Sequence, residues 1–289
     1  MSNTYTIEDF LRAVTHTDVI NMMLEVVDTT KFNVYTSTKY TFITPKEIVK
    51  YVPLLSAHTD TVHKVKPTKL TNINGTITNP NGGLGADDRA GCYIMYLLLL
   101  SGVAEDYMYI LTDEEEIGGV GGYEFVNSQV FEDIVVTYAS CFIGLDRKGS
   151  SDCASYGYDN EALIDILSNV GYLSTYGSFT DVMTFSQYSH IACVNLSIGY
   201  YKEHTKDECL VVDEMMNTYN VLLDLCADLW ENQYVEESVP YTNYSYNDYD
   251  NKYVPIVCDQ CGKHTALYDY GWGNICEDCI IDLESNIEM

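Results

Sequence analysis

The chain has 289 residues, enough for one large core with a small appendage or for two modest domains. Hydrophobic residues make up 46% of it, which excludes a disordered polymer. With 43 acidic against 15 basic side chains the formal net charge is -28, which excludes a nucleic-acid backbone as the main partner, because no cationic footprint is available.

In chain order, apolar residues at helical spacing over 7–28 predict an opening amphipathic helix. The N-terminus has no basic start followed by an apolar stretch, so no secretory leader is expected. "YVPLLSAHTDTV" at 51–62 predicts a buried strand running into a loop near His58, and "GTITNPNGGLGADDRAG" a Gly/Asn-rich loop. "AGCYIMYLLLLSG" at 90–102 predicts a mostly buried helix ending at Gly102; its apolar run is too short to span a bilayer, so no membrane partner is expected. "YMYILT" at 107–112 is a second apolar strand, and "GGVGGYEFVNS" leads into a short helix. "CFIGLD" at 141–146 is a third strand, "NEALIDILSNVGY" a helix, "HIACVNLSIG" at 190–199 a fourth strand, and the segment from Asp207 to Trp230 a long closing helix. Strands alternating with helices predict a three-layer α/β/α sandwich around a largely parallel mixed sheet, with function in the loops beyond the strand carboxyl ends.

The polar residues that stand out fall in such loops. His58 and Asp60 lie two apart on an extended segment, so the carboxylate can hold the imidazole of a metal ligand. Asp87 and Asp88 sit at a loop-to-helix junction, where an acid serves equally as a cap or as a rigid ligand. Asp113 to Glu116 are four consecutive carboxylates after an apolar strand; of such adjacent acids one can bind a cation and its neighbour take a proton from water, or the run can be a solvated turn. Asp146 ends a strand, His204 lies in a charged loop, and His63 reads as a surface histidine. Together the two histidines and the acids form a donor set suited to a pair of borderline-soft cations.

The motifs "HTDTV", "GADDRAG", "EEEIGG", "GLD" and the histidine of "GYYKEHTKDE", in this order over about residues 50–230, resemble the co-catalytic dizinc exopeptidase superfamily of aminopeptidases, carboxypeptidases and tripeptidases. The resemblance implies His58 and Asp146 on one metal, Glu116 and His204 on the other, and Asp87, four positions before the final Gly of its motif, bridging. It implies Glu115 as the general base and Asp60 as the residue that orients His58. Aligning on "EEIG" places the base and ligand at 115 and 116, whereas aligning on "DEE" would place them at 114 and 115; the Ile-Gly that follows favours the former. Asp88 and Asp181, the latter in "GSFTDVMTF", are candidates for supporting positions, a helix cap being the alternative for Asp181. The implied cofactors are two catalytic zinc ions, or manganese or cobalt in their place. Only 58 positions separate Asp146 from His204, so the lid domain that many relatives insert there is not expected. The implied activity is hydrolysis of a terminal peptide bond of short peptides, most simply as an aminopeptidase; a deacylase acting on N-acyl amino acids and a non-catalytic metal-stabilised binding module are the alternatives.

Residues 1–230 are thus expected to form the catalytic domain and 231–253 a linker or surface strap. Residues 254–289 form a small four-cysteine module, in which Cys258, Cys261, Cys276 and Cys279 have the spacing of one structural zinc site. This module is poor in basic residues, so a protein partner or a homo-oligomer contact suits it better than nucleic acid. The other six cysteines, Cys92, Cys141, Cys153, Cys193, Cys209 and Cys226, are isolated in apolar segments and read as reduced thiols, which favours the cytoplasm.

Overall fold

The structure is a computed structural model that describes residues 4–229 and 232–237, with the backbone of 268–269 and 274–275. The chain divides into two units, Met1–Ser238 and Val239–Met289. The helices of the first unit are α1 (Ile7–Leu11), α2 (His16–Leu24), α3 (Ala86–Leu99), α4 (Val120–Val126), α5 (Val136–Tyr138), α6 (Glu161–Asn169), α7 (Asp181–Ser189) and α8 (Val212–Leu225). Its strands are β1 (Phe32–Thr36), β2 (Tyr40–Pro45), β3 (Val52–His58), β4 (Thr71–Ile73), β5 (Thr76–Thr78), β6 (Met108–Thr112), β7 (Ala139–Arg147), β8 (Asp152–Ser155), β9 (Leu173–Tyr176), β10 (Cys193–Ser197), β11 (Tyr200–Tyr201) and β12 (Cys209–Val211).

Eight strands form one mixed sheet in the order β1-β2-β6-β3-β7-β10-β8-β9. The centre, β6-β3-β7-β10, is parallel, as is β8-β9, while β1-β2, β2-β6 and β10-β8 are antiparallel. Central strands are covered on both faces, so they read as unbroken apolar runs, and alternate side chains enter different layers. In β3, Val52 and Leu54 join one core cluster and Leu55 and Ala57 the other; in β6, Met108 and Ile110 oppose Tyr109 and Leu111 in the same way. The cluster of Leu55 and Ala57 lies under α1, α2, α3, α6 and α8, that of Val52 and Leu54 under α4 and α7, which gives the expected three layers. Helix α3 is apolar nearly all round because it lies between the sheet and helices α1 and α8.

The predicted opening helix is two helices. Thr15 and Asp18 form a reciprocal cap, in which Thr15 Oγ1 accepts from the Asp18 N–H and Asp18 Oδ2 from the Thr15 N–H, and this starts α2 afresh after α1 ends at Leu11. The closing helix begins later than predicted, because Cys209–Val211 pairs with β5 as a strand before Val212 enters α8. Strands β1 and β2, which the sequence pattern does not announce, extend the sheet through β6. Residues 232–237, inside the predicted linker, run along the sandwich, where Tyr234 exchanges backbone hydrogen bonds with Ala192 and Ser140. In the second unit, Tyr268–Asp269 pairs antiparallel with Asn274–Ile275. The four cysteines of the predicted zinc module lie outside the described residues. Cys92, Cys141, Cys153, Cys193 and Cys209 are free thiols, and among the described residues no helix is long and apolar enough to cross a membrane.

Candidate metal centre

Strand register assembles the site. Ser56 of β3 lies opposite Gly144 of β7, so the positions two further along, His58 and Asp146, leave the sheet side by side on one face. His58 is level with Thr112 on the other neighbour, β6, so the acidic run that follows Thr112 starts at the same edge. A bulge between Asn195 and Ser197 interrupts the β10–β7 ladder. There the Asn195 side chain replaces the missing backbone pairing: Oδ1 accepts from the Asp146 N–H and Nδ2 donates to the Asp146 carbonyl, each at 2.9 Å. The small antiparallel sheet β11-β12-β5-β4 carries the fourth loop, between β11 and β12, which delivers His204.

The four-carboxylate run divides in two. Lys39 holds Glu114 at 2.5 Å and Asp113 at 3.7 Å, so these are turn residues on a cation. The backbone N–H groups of Glu115 and Glu116 instead donate to the two oxygens of Asp60, at 3.1 and 3.2 Å, which fixes the pair at the strand end.

His58 is buried between acids. Its Nδ1 lies 3.1 Å from the Asp60 carbonyl and 3.4 Å from Asp60 Oδ1, which favours the tautomer that leaves the Nε2 lone pair free. Nε2 faces Asp87 Oδ1 at 3.1 Å, Asp146 Oδ1 at 3.6 Å and Glu115 Oε2 at 4.0 Å. The second oxygen of Asp87 faces His204 Nε2 at 3.1 Å, and that nitrogen also lies 3.0 Å from Glu116 Oε2. Asp87 therefore stands between the two imidazoles, one oxygen toward each. Donor atoms of His58, Asp87 and Glu116 lie within 4.8 Å of one another, as do those of His58, Asp88 and Asp146.

In the second of these triads Asp88 does different work. It is fully buried, Oδ2 accepts from the His58 N–H at 3.0 Å, and Oδ1 from the Gly91 N–H at 3.1 Å, so it ties β3 to the start of α3. The peptide bond between Asp87 and Asp88 is cis. Gly91 must be glycine, since a Cβ would collide with the Leu145 carbonyl oxygen.

Packing this many acids out of water shifts their titration. Burial, with the Asp146, Asp181 and Glu116 carboxylates, pushes Glu115 up to about 8. Burial and Asp87 push Asp146 up to about 7. Burial pulls His58 down, but Asp146, Asp60 and Asp87 outweigh it and hold the imidazole well above its ordinary range; Asp87 beside it lifts His204 to about 9. Asp87 is held well below the carboxylate range, because the two imidazoles outweigh its burial. Asp60 is also lowered, its burial being outweighed by His58 and the two backbone N–H groups it accepts. This is a site short of positive charge, and its donors, two imidazoles and several carboxylates, fit divalent zinc, manganese or cobalt.

Three supporting residues are not legible in the sequence. Glu208 has a fully buried side chain that accepts from the backbone N–H groups of Leu84, Gly85 and Asp87, at 3.0, 2.8 and 3.1 Å, and from His63 Nε2 at 2.8 Å. It fixes the loop that presents Asp87, and it makes His63 a half-buried partner and not the surface histidine expected. The Tyr200 hydroxyl donates to Asp146 Oδ1 at 3.2 Å. Asn195 braces Asp146 through the two bonds at the bulge. Glu208→Ala is expected to destabilise the protein by about 3–5 kcal/mol, because three buried N–H groups lose their acceptor, and a lowered urea midpoint at unchanged slope checks this.

Asp181 opens α7 but does not cap it. Oδ2 accepts from the Thr112 hydroxyl at 2.5 Å, and Oδ1 has no partner among the described residues and faces Gly122. Burial pushes its pKa up to about 6. The folded pKa lies above the unfolded one, so this group withdraws stability as pH rises from about 4 to 6. In metal-free protein, Asp181→Asn is expected to raise stability by on the order of 2 kcal/mol at pH 7.5, with the gain vanishing below about pH 4. Chemical denaturation at the two pH values measures it.

No protein-family model matches the sequence, and no curated protein does. Solved structures do match the fold. Aminopeptidase PepT from Bacillus cereus is similar with a TM-score of 0.62 at 12% identity, over 77% of this chain and 96% of that one. A tripeptidase from Staphylococcus aureus gives 0.63 at 13% identity, over 78% and 96%. An aminopeptidase from the archaeon Desulfurococcus kamchatkensis gives 0.54 at 13%, over 74% and 88%. The mixed sheet and the three layers agree with these likenesses: the chain has the fold of these aminopeptidase and tripeptidase structures.

Proposed function

We propose that the protein is a metal-dependent exopeptidase that releases residues from the amino terminus of short peptides. The observation that carries this reading is Asp87 between the imidazoles of His58 and His204, with Glu115 close by. In this reading His58, Asp146 and Asp87 hold one divalent cation, and Asp87, Glu116 and His204 the other. When bound, the two cations supply Lewis acidity, which lowers the pKa of water and polarises the scissile carbonyl. Asp60 keeps His58 in its ligating tautomer and sets the backbone of Glu115 and Glu116. Glu115 accepts the proton of the attacking water and returns it to the leaving amine. Burial among carboxylates suits it to that exchange, since it raises proton affinity toward neutral pH.

On sequence grounds we also assign one structural zinc to Cys258, Cys261, Cys276 and Cys279, with the module as a protein-docking element or a homo-oligomer contact. One solved structure of similar fold, PhTET1-12s, is a dodecamer. Three zinc ions per chain are expected by metal analysis of the full chain, and one would sink the two-cation reading.

The substrate is tested with aminoacyl p-nitroanilides, their N-acetylated forms, and dipeptides against N-acyl amino acids. Chelator-sensitive cleavage of the free-amine substrates alone supports the aminopeptidase. Cleavage confined to N-acyl amino acids would replace it with a deacylase, and no turnover in the zinc-loaded protein would overturn both.

A further inference from the structure

We propose that a cavity beside the metal centre binds a small oxyanion, a phosphate or carboxylate group of a free metabolite, with Arg89 as its anchor. The cavity has a volume of about 420 Å³ and lies among the start of α2, the loop after β3 and the start of α3. Lys64, Lys66, Arg89, Asp60, Asp113 and His16 are in its wall. None of His58, Asp87, Glu115, Glu116, Asp146 and His204 lines it, and Asp60, which does, faces Nδ1 of His58, whereas Asp87, Asp146 and Glu115 face Nε2.

Arg89 is the reason for the assignment. It is only 3% exposed, and its Nε and Nη1 have no hydrogen-bond partner among the described residues. A guanidinium stays charged, so burying it with two of its three nitrogens unpaired is unfavourable unless something else pairs with them. The neighbouring acids are already engaged. Both oxygens of Asp60 accept backbone N–H groups, Asp113 lies against Lys39, and Asp18 holds the start of α2. His16 adds no charge: burial pushes its pKa down, and its Nδ1 is taken up by Thr59 Oγ1 at 2.7 Å. The positive charge of the cavity therefore rests on Arg89 with the exposed Lys64 and Lys66.

Three of the chain's 15 basic residues meet in one cavity of a protein with 43 acids, a local reversal of the overall field. The planar fork of an arginine matches the two oxygens of a phosphate or carboxylate, and two flexible lysines complete the charge. The volume exceeds the ~30 Å³ share of one water molecule many times over, so a polyatomic anion has room.

The test uses the full chain loaded with zinc, titrated by calorimetry with sulfate or succinate at matched ionic strength against a chloride control. Neither probe competes strongly for zinc. Wild type is expected to bind one equivalent of at least one probe, Lys64→Gln/Lys66→Gln at least tenfold more weakly, and Arg89→Gln not at all. Binding of sulfate alone points to a phosphate-type ligand, and of succinate alone to a carboxylate. The double variant alters only exposed side chains, so it decides the matter even if Arg89→Gln does not fold. Absence of binding heat in wild type, or undiminished affinity in the double variant, would overturn the proposal.

Discussion

Replacing Glu115 by Gln is expected to lower kcat about 10³-fold while metal content stays at the wild-type value. General-base contributions run roughly from 10² to 10⁴, and the upper part of that range suits a base with no carboxylate substitute in the right place. Glu116 is engaged with His204, Asp60 with the backbone of the acidic run, and Asp181 with Thr112. Gln preserves the side-chain volume, and the backbone N–H that binds Asp60 is unchanged, so the fold and the neighbouring donors should survive. Steady-state rates on a free-amine substrate, run beside metal analysis by mass spectrometry, separate the outcomes. A matching loss of one cation would make Glu115 a ligand and move the register of the acidic run by one position. An unchanged rate would remove it from the mechanism.

Stripping the metal is expected to lower Tm by about 10 °C at neutral pH. A ligand present at a thousand times its Kd stabilises by about 4 kcal/mol, and a domain of this size shifts by roughly 2–4 °C per kcal/mol. The sign follows from the charge of the site. Glu115 and Asp146 titrate in the fold near 8 and 7, above their unfolded values, so in metal-free protein they withdraw stability as pH rises from about 4 to 8. His204, raised to about 9, contributes stability that is complete below about 6.5 and is lost as pH rises through 9. All three act in one direction, so the Tm of chelated protein should fall between pH 6 and 9. A bound cation replaces the missing positive charge, so the gap between loaded and stripped protein should widen over the same interval. Differential scanning calorimetry with and without chelator measures both, and a gap that narrows with pH would contradict this charge balance.

Side chains next to one another in sequence, or at the ends of unbroken apolar runs, are legible in the sequence alone. β3, β6, β7 and β10 are covered on both faces and so contain long apolar runs, and His58, Glu115, Glu116 and Asp146 stand out because each follows one. Strands β1 and β2 escape notice, since their runs are short and broken by Asn and Thr. The opening helix reads as one because its apolar period continues across the gap between α1 and α2, whereas Thr15 and Asp18 cap the second part locally.

The motif order by itself determined which residues to gather and the roles proposed for Glu115 and Glu116, and the alternation of strands and helices determined the sandwich class. Tertiary structure alone decided that one oxygen of Asp87 meets each imidazole, because that depends on how the loop between β11 and β12 folds over the strand ends. It alone decided that Asp88 holds backbone, that Glu208 braces the Asp87 loop from 121 residues away, and that Arg89 is buried with Nε and Nη1 unpaired among the described residues. The physical reason is common to all three. Periodicity records which side of an element is apolar, but a polar group satisfied by a distant backbone N–H, or left unsatisfied in a cavity, has no period to read.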